Sequence, residues 1–359
     1  MIEHYILLAL AFLPFLFAID KNQYKIYAAF SLAIFFFAAY IMVTFRAPSI
    51  GNDTMAYIDY FNTSWSYNNY AEFMEYGSGR FEAGYATLSY LLSHMTDDYT
   101  VFFGICNLIY FAATIIFFRA TCFNKYVWIL PWFLIGMYYD LFNTLRASMA
   151  MIFVYLTAVT FLKGSKGKSF LCYLLAVSMH VSAVATGIIL FIKSKYISKL
   201  LSHEIVLLLM FGLVGIFFSQ FMSLLPDYYS NYYFESEYGQ GQVRIASISD
   251  MLMLTSLYIF SYRKEVKEWK DHDFFKIMFL FAMGMSFLGL FLPSMNRVEF
   301  FFKPFALVYI LNTFHCHPLW RKLLIIFVFV ILAVYQIVAF IIRPEWLGIF
   351  PYSFRGSVK

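Results

Sequence analysis

Charge is scarce in this sequence. Of its 359 residues only 13% are Asp, Glu, Lys or Arg, about half the share of an ordinary soluble domain. That deficit excludes a soluble globule and a disordered tail, and it argues against a protein that binds nucleic acid. Cysteine is rare as well. Cys106, Cys122, Cys172 and Cys316 lie in or beside apolar runs and form no C-x-x-C pair, so neither a disulfide framework nor a zinc site is expected. No internal repeat or low-complexity tract is present, nor the inverted pair of broken helices that marks many transporters. No basic stretch precedes the first apolar run, which opens Met1-Ile2-Glu3-His4. That run reads as a permanent helix rather than a cleaved signal.

Apolar and aromatic side chains fill the space that charge leaves. The chain is 62% hydrophobic and 22% aromatic, with a mean hydropathy of +0.70. Charge-poor runs occupy residues 4–19, 27–45, 100–118, 127–141, 148–162, 204–224, 246–262, 274–292, 303–314 and 323–342; crossing a bilayer takes roughly 17–25 such residues. Residues 83–95 are too short to cross comfortably. Residues 170–192 are long enough but carry His180 in the middle. If both return to the side they left, the connections sort by charge as the positive-inside rule requires. The expectation is an all-α, polytopic transmembrane helical bundle of about ten spans with two short re-entrant segments. It would form a single integral-membrane domain over 1–359, with both termini outside and large outer loops at 46–82 and 225–250.

The sorting separates two cations. Fourteen of the sixteen lysines fall inside, whereas seven of the ten arginines fall outside: Arg46, Arg80, Arg146, Arg244, Arg297, Arg343 and Arg355. Lysine suffices to set topology, but arginine offers a planar fork that matches phosphate or carboxylate. Arginines gathered near outer membrane ends therefore suggest an anionic ligand, with pairing to loop carboxylates as the plainer alternative.

Individual residues carry the same two readings. Arg46 and Asp53 flank a turn at Gly51, where Asp53 or Thr54 would alternatively cap a short helix over 54–61. Glu82 stands where the chain re-enters apolar surroundings, a setting that would raise its pKa and suit a proton acceptor, or an ion pair. Arg146 begins a membrane helix behind Asp140-Leu141-Phe142-Asn143, at a depth where an unpaired charge is costly unless it snorkels to lipid headgroups. His180 is either functional or a satisfied core histidine. Arg297 centres another outer turn. His315-Cys316-His317 looks metal-like, but it falls inside and lacks further ligands.

Read in order, Arg46-x4-Gly51-x-Asp53-x3-Tyr57, Phe81-Glu82-x-Gly84-Tyr85, Leu145-Arg146 and His180-x-Ser182-Ala183 resemble the EpsG-like, Wzy-type polysaccharide polymerases of bacterial inner membranes. The motifs cover residues 46–183, and the rest is carried by topology. The resemblance implies a GT-C-like glycosyltransferase in the bacterial inner (cytoplasmic) membrane, with its site facing the periplasm. It implies an undecaprenyl-diphosphate-linked oligosaccharide donor and acceptor, and a chain-length-regulating membrane protein as a further partner. The leaving diphosphate would be met by Arg46, Arg146 and Arg297, with Arg80 in reserve. Glu82, Asp53 and His180 are the candidate bases, Glu82 first. Tyr57, Tyr85 and Asn143 are candidate substrate contacts, and loops 46–82 and 225–250 would form part of the cavity. A divalent metal on Asp53 and Glu82 would rest on only two carboxylates, and arginine can replace it, so no cofactor is expected. A lipid-linked oligosaccharide flippase and an O-antigen ligase are the alternatives.

Overall fold

In lipid, backbone amides and carbonyls find no partners except one another, so long uncharged runs close into helices. The structure, a computed structural model, describes residues 1–19, 24–77, 81–192, 204–217, 245–266, 269–290 and 295–356. Every extended regular element among the described residues is helical. Among the described residues, four helices are long and apolar enough to cross a membrane: Lys25–Thr44, Tyr99–Thr121, Leu145–Leu162 and Leu319–Ile342. Shorter apolar helices accompany them.

The chain forms two compact units, Met1–Val184 with Phe329–Lys359, and Ala185–Val328. The first unit contains α1 (Ile2–Ile19), α2 (Lys25–Thr44), α3 (Thr54–Trp65), α4 (Tyr70–Gly77), α5 (Ala83–Ser93), α6 (Tyr99–Thr121), α7 (Ile129–Leu134), α8 (Met137–Asp140), α9 (Leu145–Leu162) and α10 (Lys166–Met179). In it α1 packs on α2 and α7, α6 on α2 and α9, α10 on α9 and α5, and α3 on α5. The second holds α11 (Ile188–Phe191), α12 (Glu204–Ile216), α13 (Ile245–Ser261), α14 (His272–Leu288), α15 (Met295–Glu299) and α16 (Lys303–Phe314). There α14 packs against α12, α13, α15 and α16. The last helix, α17 (Leu319–Ile342), contributes to both. It is the most exposed of the four long helices: 28% of its apolar window is buried, against 67% for α9. An apolar helix so bare belongs at the lipid boundary, while α9 is central.

Local chemistry sets the ends. Asp98 caps α6 by accepting the Thr100 amide at 2.7 Å. The run 127–141 is not one helix: Gly136, at φ 88°, divides it into α7 and α8. That break strips α7 of partners for its last carbonyls, and Gln336 of α17 donates to one of them, Leu134 O, at 2.7 Å. The run 170–192 is broken too. α10 stops at His180, whose backbone is extended, and a 3-10 turn over Val181–Gly187 follows.

The segment 46–82 carries the helices α3 and α4, so it is far from an open loop. Asp53 stands at the N-cap position of α3, but its side chain makes no capping bond. Thr54 instead donates its hydroxyl to Ile50 O at 2.6 Å. Gly51, at φ 88°, brings the turn against the backbone of Phe142, and a Cβ at that position would collide with the Phe142 carbonyl. Only glycine meets both demands.

The C-terminal segment returns to this turn. Ala47 N donates to Ser353 O at 3.0 Å, Arg355 N to Phe45 O at 2.9 Å, and Gly51 N to Gly348 O at 2.8 Å. Tyr352 donates to Met42 O at 2.6 Å, and the Arg355 side chain holds Asp98 and Thr100. The tail thus closes over the start of the segment 46–82.

Candidate functional site

Glu82 is the N-cap residue of α5, with an extended backbone and no bond from its side chain to its own helix. Its carboxylate turns to two other helices. Oε2 accepts from Arg146 Nη1 at 2.6 Å. Oε1 accepts from His180 Nδ1 at 2.7 Å and from the Val181 amide at 3.0 Å. The approach depends on Gly84, since a Cβ there would strike Ser178 at the end of α10. Glu82-x-Gly84 is thus one device: the glycine lets α5 reach the broken end of α10, and the glutamate ties it there.

The electrostatics reverse the expected direction for Glu82. Burial by itself pushes its carboxyl up. The hydrogen bond from His180, the Arg146 and His180 charges and the Val181 amide outweigh it and hold the group at about 2. An ionised carboxylate can only accept, so Nδ1 of His180 carries the hydrogen in this pair.

Arg146 sits in the first turn of α9 with its guanidinium 4.4 Å from the centre of the Phe81 ring. Its Nε is buried without a hydrogen-bond partner. The pair is open on one side, with 22% of the Arg146 side chain and 18% of the Glu82 side chain exposed. A cation so placed can meet an anion from the solvent side without dismantling the cluster.

The remaining candidates lie around this centre or away from it. Tyr57 is buried, its ring 5.9 Å from that of Tyr85, and its hydroxyl donates to Asn143 O at 3.3 Å. The Asn143 side chain accepts from Asn52 N at 2.6 Å and donates to Leu347 O at 3.0 Å. It thereby ties the turn at Gly51 to the C-terminal tail. Tyr85 is wholly buried in the same aromatic group. Asp53 is exposed.

Arg46 is 1% exposed. It donates to Val43 O at 2.6 Å and Thr54 Oγ1 at 3.1 Å, between the rings of Phe103 and Phe142. A cation on a terminal carbonyl of α2 also complements the negative end of that helix. Burial draws the guanidinium down to about 10, so it remains a cation at neutral pH. Arg297 is exposed on α15 in the second unit. Arg80 and most of 225–250 lie outside the described residues. His317, of the metal-like trio, is buried with its Nε2 2.9 Å from Ser261 O.

One group escaped the sequence reading. Glu299 is fully buried in the second unit. Lys303 lies 3.2 Å from it and 3.3 Å from Asp250. The signal was an acid and a base four residues apart, one helical turn, enclosing three phenylalanines. Burial first and the Asp250 charge second raise the Glu299 carboxyl from 4.5 to about 7, with the Lys303 charge opposing. A raised carboxyl keeps its proton in the folded state after the unfolded chain has lost it. Stability should therefore fall as pH rises from about 4.5 to about 7 and level off above. Thermal melting of the detergent-purified protein across that interval should show the decline, and Glu299→Gln should flatten it. An equal slope in the variant would assign the decline to other groups.

A family model described as the EpsG family matches residues 28–354. No curated protein and no solved structure matches the chain.

Proposed function

This chain belongs to the EpsG family, and from that premise we propose that it joins lipid-diphosphate-linked oligosaccharide repeat units into a surface polysaccharide. The family makes it a membrane protein of the polysaccharide-polymerase type, glycosyltransferase-like in general chemistry. The finer reading is a GT-C-like enzyme of about ten spans in a bacterial inner membrane, with undecaprenyl diphosphate as carrier and a periplasmic site.

The observation that supports it is the Glu82 cluster. An acceptor hydroxyl attacks the anomeric carbon of the donor, the bond from that carbon to the diphosphate oxygen breaks, and the diphosphate leaves as an anion. Arg146 is the cation for that charge. The hydroxyl proton goes to His180: with Nδ1–H given to Glu82, Nε2 carries the lone pair that accepts it. Glu82 already gives both carboxylate oxygens to Arg146, His180 and the Val181 amide, and it serves as the group that fixes the imidazole and the guanidinium. Arg46 is assigned to holding the outer turn beside this centre. Arg297 and Arg80 remain candidate diphosphate ligands, Asp53 a reserve base, and Tyr57, Tyr85 and Asn143 the frame behind Arg146.

Deleting the gene and complementing it, with surface polysaccharide profiled on gels, tests the reading. Loss of the long-chain ladder with the single-unit band retained is the expected result. Loss of the single-unit band as well would reassign the protein to export or ligation, and an unchanged ladder would end the proposal.

A further inference from the structure

The first unit contains a cleft of about 350 Å³ where the C-terminal tail meets the first outer turn. Ser49, Ile50, Glu345, Gly348, Phe350 and Ser353 line it. Its volume is at the small end of ligand-sized cavities, about 300–1,000 Å³. Both walls are fixed by main-chain bonds: Ala47 N to Ser353 O on one side, Gly51 N to Gly348 O on the other. The cleft is therefore formed before any ligand arrives, which lowers the cost of ordering on binding.

Its chemistry differs from that of the Arg146 centre. Two serines and a carboxylate line it together with Ile50, Phe350 and two prolines, Pro344 and Pro351. No cation lines it, and the nearby Arg343 is occupied with Glu345 at 3.5 Å. A phosphate would face the Glu345 charge unaided. A ring with hydroxyls on its edge and C–H groups on its face would meet acceptors and apolar surface together.

The cleft is also joined to the candidate site. Leu347, next to Gly348 in the cleft wall, accepts from Asn143. Asn143 in turn accepts from Tyr57 and lies three residues before Arg146.

We propose that this cleft is a subsite for an uncharged sugar ring, carried by the incoming repeat unit or by the growing chain. The inference rests on the polymerase reading and adds to it a place where sugar is held apart from the diphosphate. Ser353→Trp and Ser49→Trp fill the cleft from opposite walls, and Glu345→Gln removes its charge while preserving size. None of these residues belongs to the Arg146 centre.

The test uses the full chain in lipid nanodiscs. The probes are oligosaccharides of one and of four repeat units, prepared by mild acid hydrolysis of the strain's own polysaccharide. Binding is followed by saturation-transfer NMR, and chain length is read on gels from complemented cells. Wild type should bind. The tryptophan variants should bind at least tenfold more weakly and make shorter polymer. Equal binding of the two probes places the incoming unit in the cleft, and tighter binding of the longer one places the growing chain there.

Failure of wild type to bind either probe overturns the subsite, as do tryptophan variants that bind and polymerise normally. If one tryptophan variant is lost from the membrane, the other and Glu345→Gln decide. Polymer made at the normal level by Arg146→Ala would count against the polymerase mechanism, whereas the binding measurements judge the cleft separately.

Discussion

Arg146→Ala should abolish the long-chain ladder while the protein remains in the membrane at wild-type level. Removing one preorganised group that stabilises developing negative charge costs about 10²–10³ in rate. Every addition is slowed by that factor, so the gel should show single units and little else. The truncation also takes from Glu82 the guanidinium at 2.6 Å and opens the stack on Phe81, so immunoblots and detergent gel filtration must accompany the assay. Arg146→Lys separates charge from shape. Lysine restores the cation as a single point donor and cannot serve Glu82 and a phosphate with one planar fork. It should therefore recover only a small part of the activity. Near-normal ladders in both variants would remove Arg146 from the diphosphate, leaving Arg297 and Arg80 as the arginines to examine next.

Hydropathy made most helices legible, because in lipid the backbone has no alternative to helix and the apolar runs mark where it must form. It failed at 127–141 for a local reason, because Gly136 at φ 88° interrupts a run read as one span. At 170–192 the histidine in mid-run was the warning, and the helix does stop at His180. The order of the site motifs was legible as well, but the state of the residues was not. Glu82 was expected to be raised by burial, yet it is lowered by donors from positions 146, 180 and 181. Contacts across such separations leave no mark on local composition.

Arg46 has the same lesson. Its place at the end of an apolar run was readable, but its burial depends on Phe142 and Phe103 and on a tail that returns from residues 347–355. Glu299 went unnoticed because three phenylalanines separate it from Lys303, its partner one turn on. Only packing brings Asp250 to the pair.

Glu82→Gln and His180→Ala should each lower polymerisation by about two orders of magnitude, the usual scale for positioned proton transfer, and together they should do little more harm than the worse of the two. The reason is the order of action. If Glu82 works by fixing the imidazole through Nδ1, a chain that lacks the imidazole has nothing left for Glu82 to fix, and effects of residues acting as a unit do not add. Glutamine keeps an oxygen for the Val181 amide, so the turn after α10 should survive in that variant. It loses the charge that supports an imidazolium while the proton is held. The pH profile provides a second reading. A carboxyl held near 2 is ionised throughout the range in which such membranes can be assayed, so Glu82 should contribute no inflection between pH 4 and 6. If His180 is the base, any acid limb of the profile should disappear in His180→Ala and persist in Glu82→Gln. Reconstituted vesicles supplied with lipid-linked units give both quantities in one set of initial rates. Additive losses in the double variant would show that Glu82 acts independently of His180. An acid limb that persists in His180→Ala but disappears in Glu82→Gln would return the base to Glu82 and overturn the assignment made from the geometry.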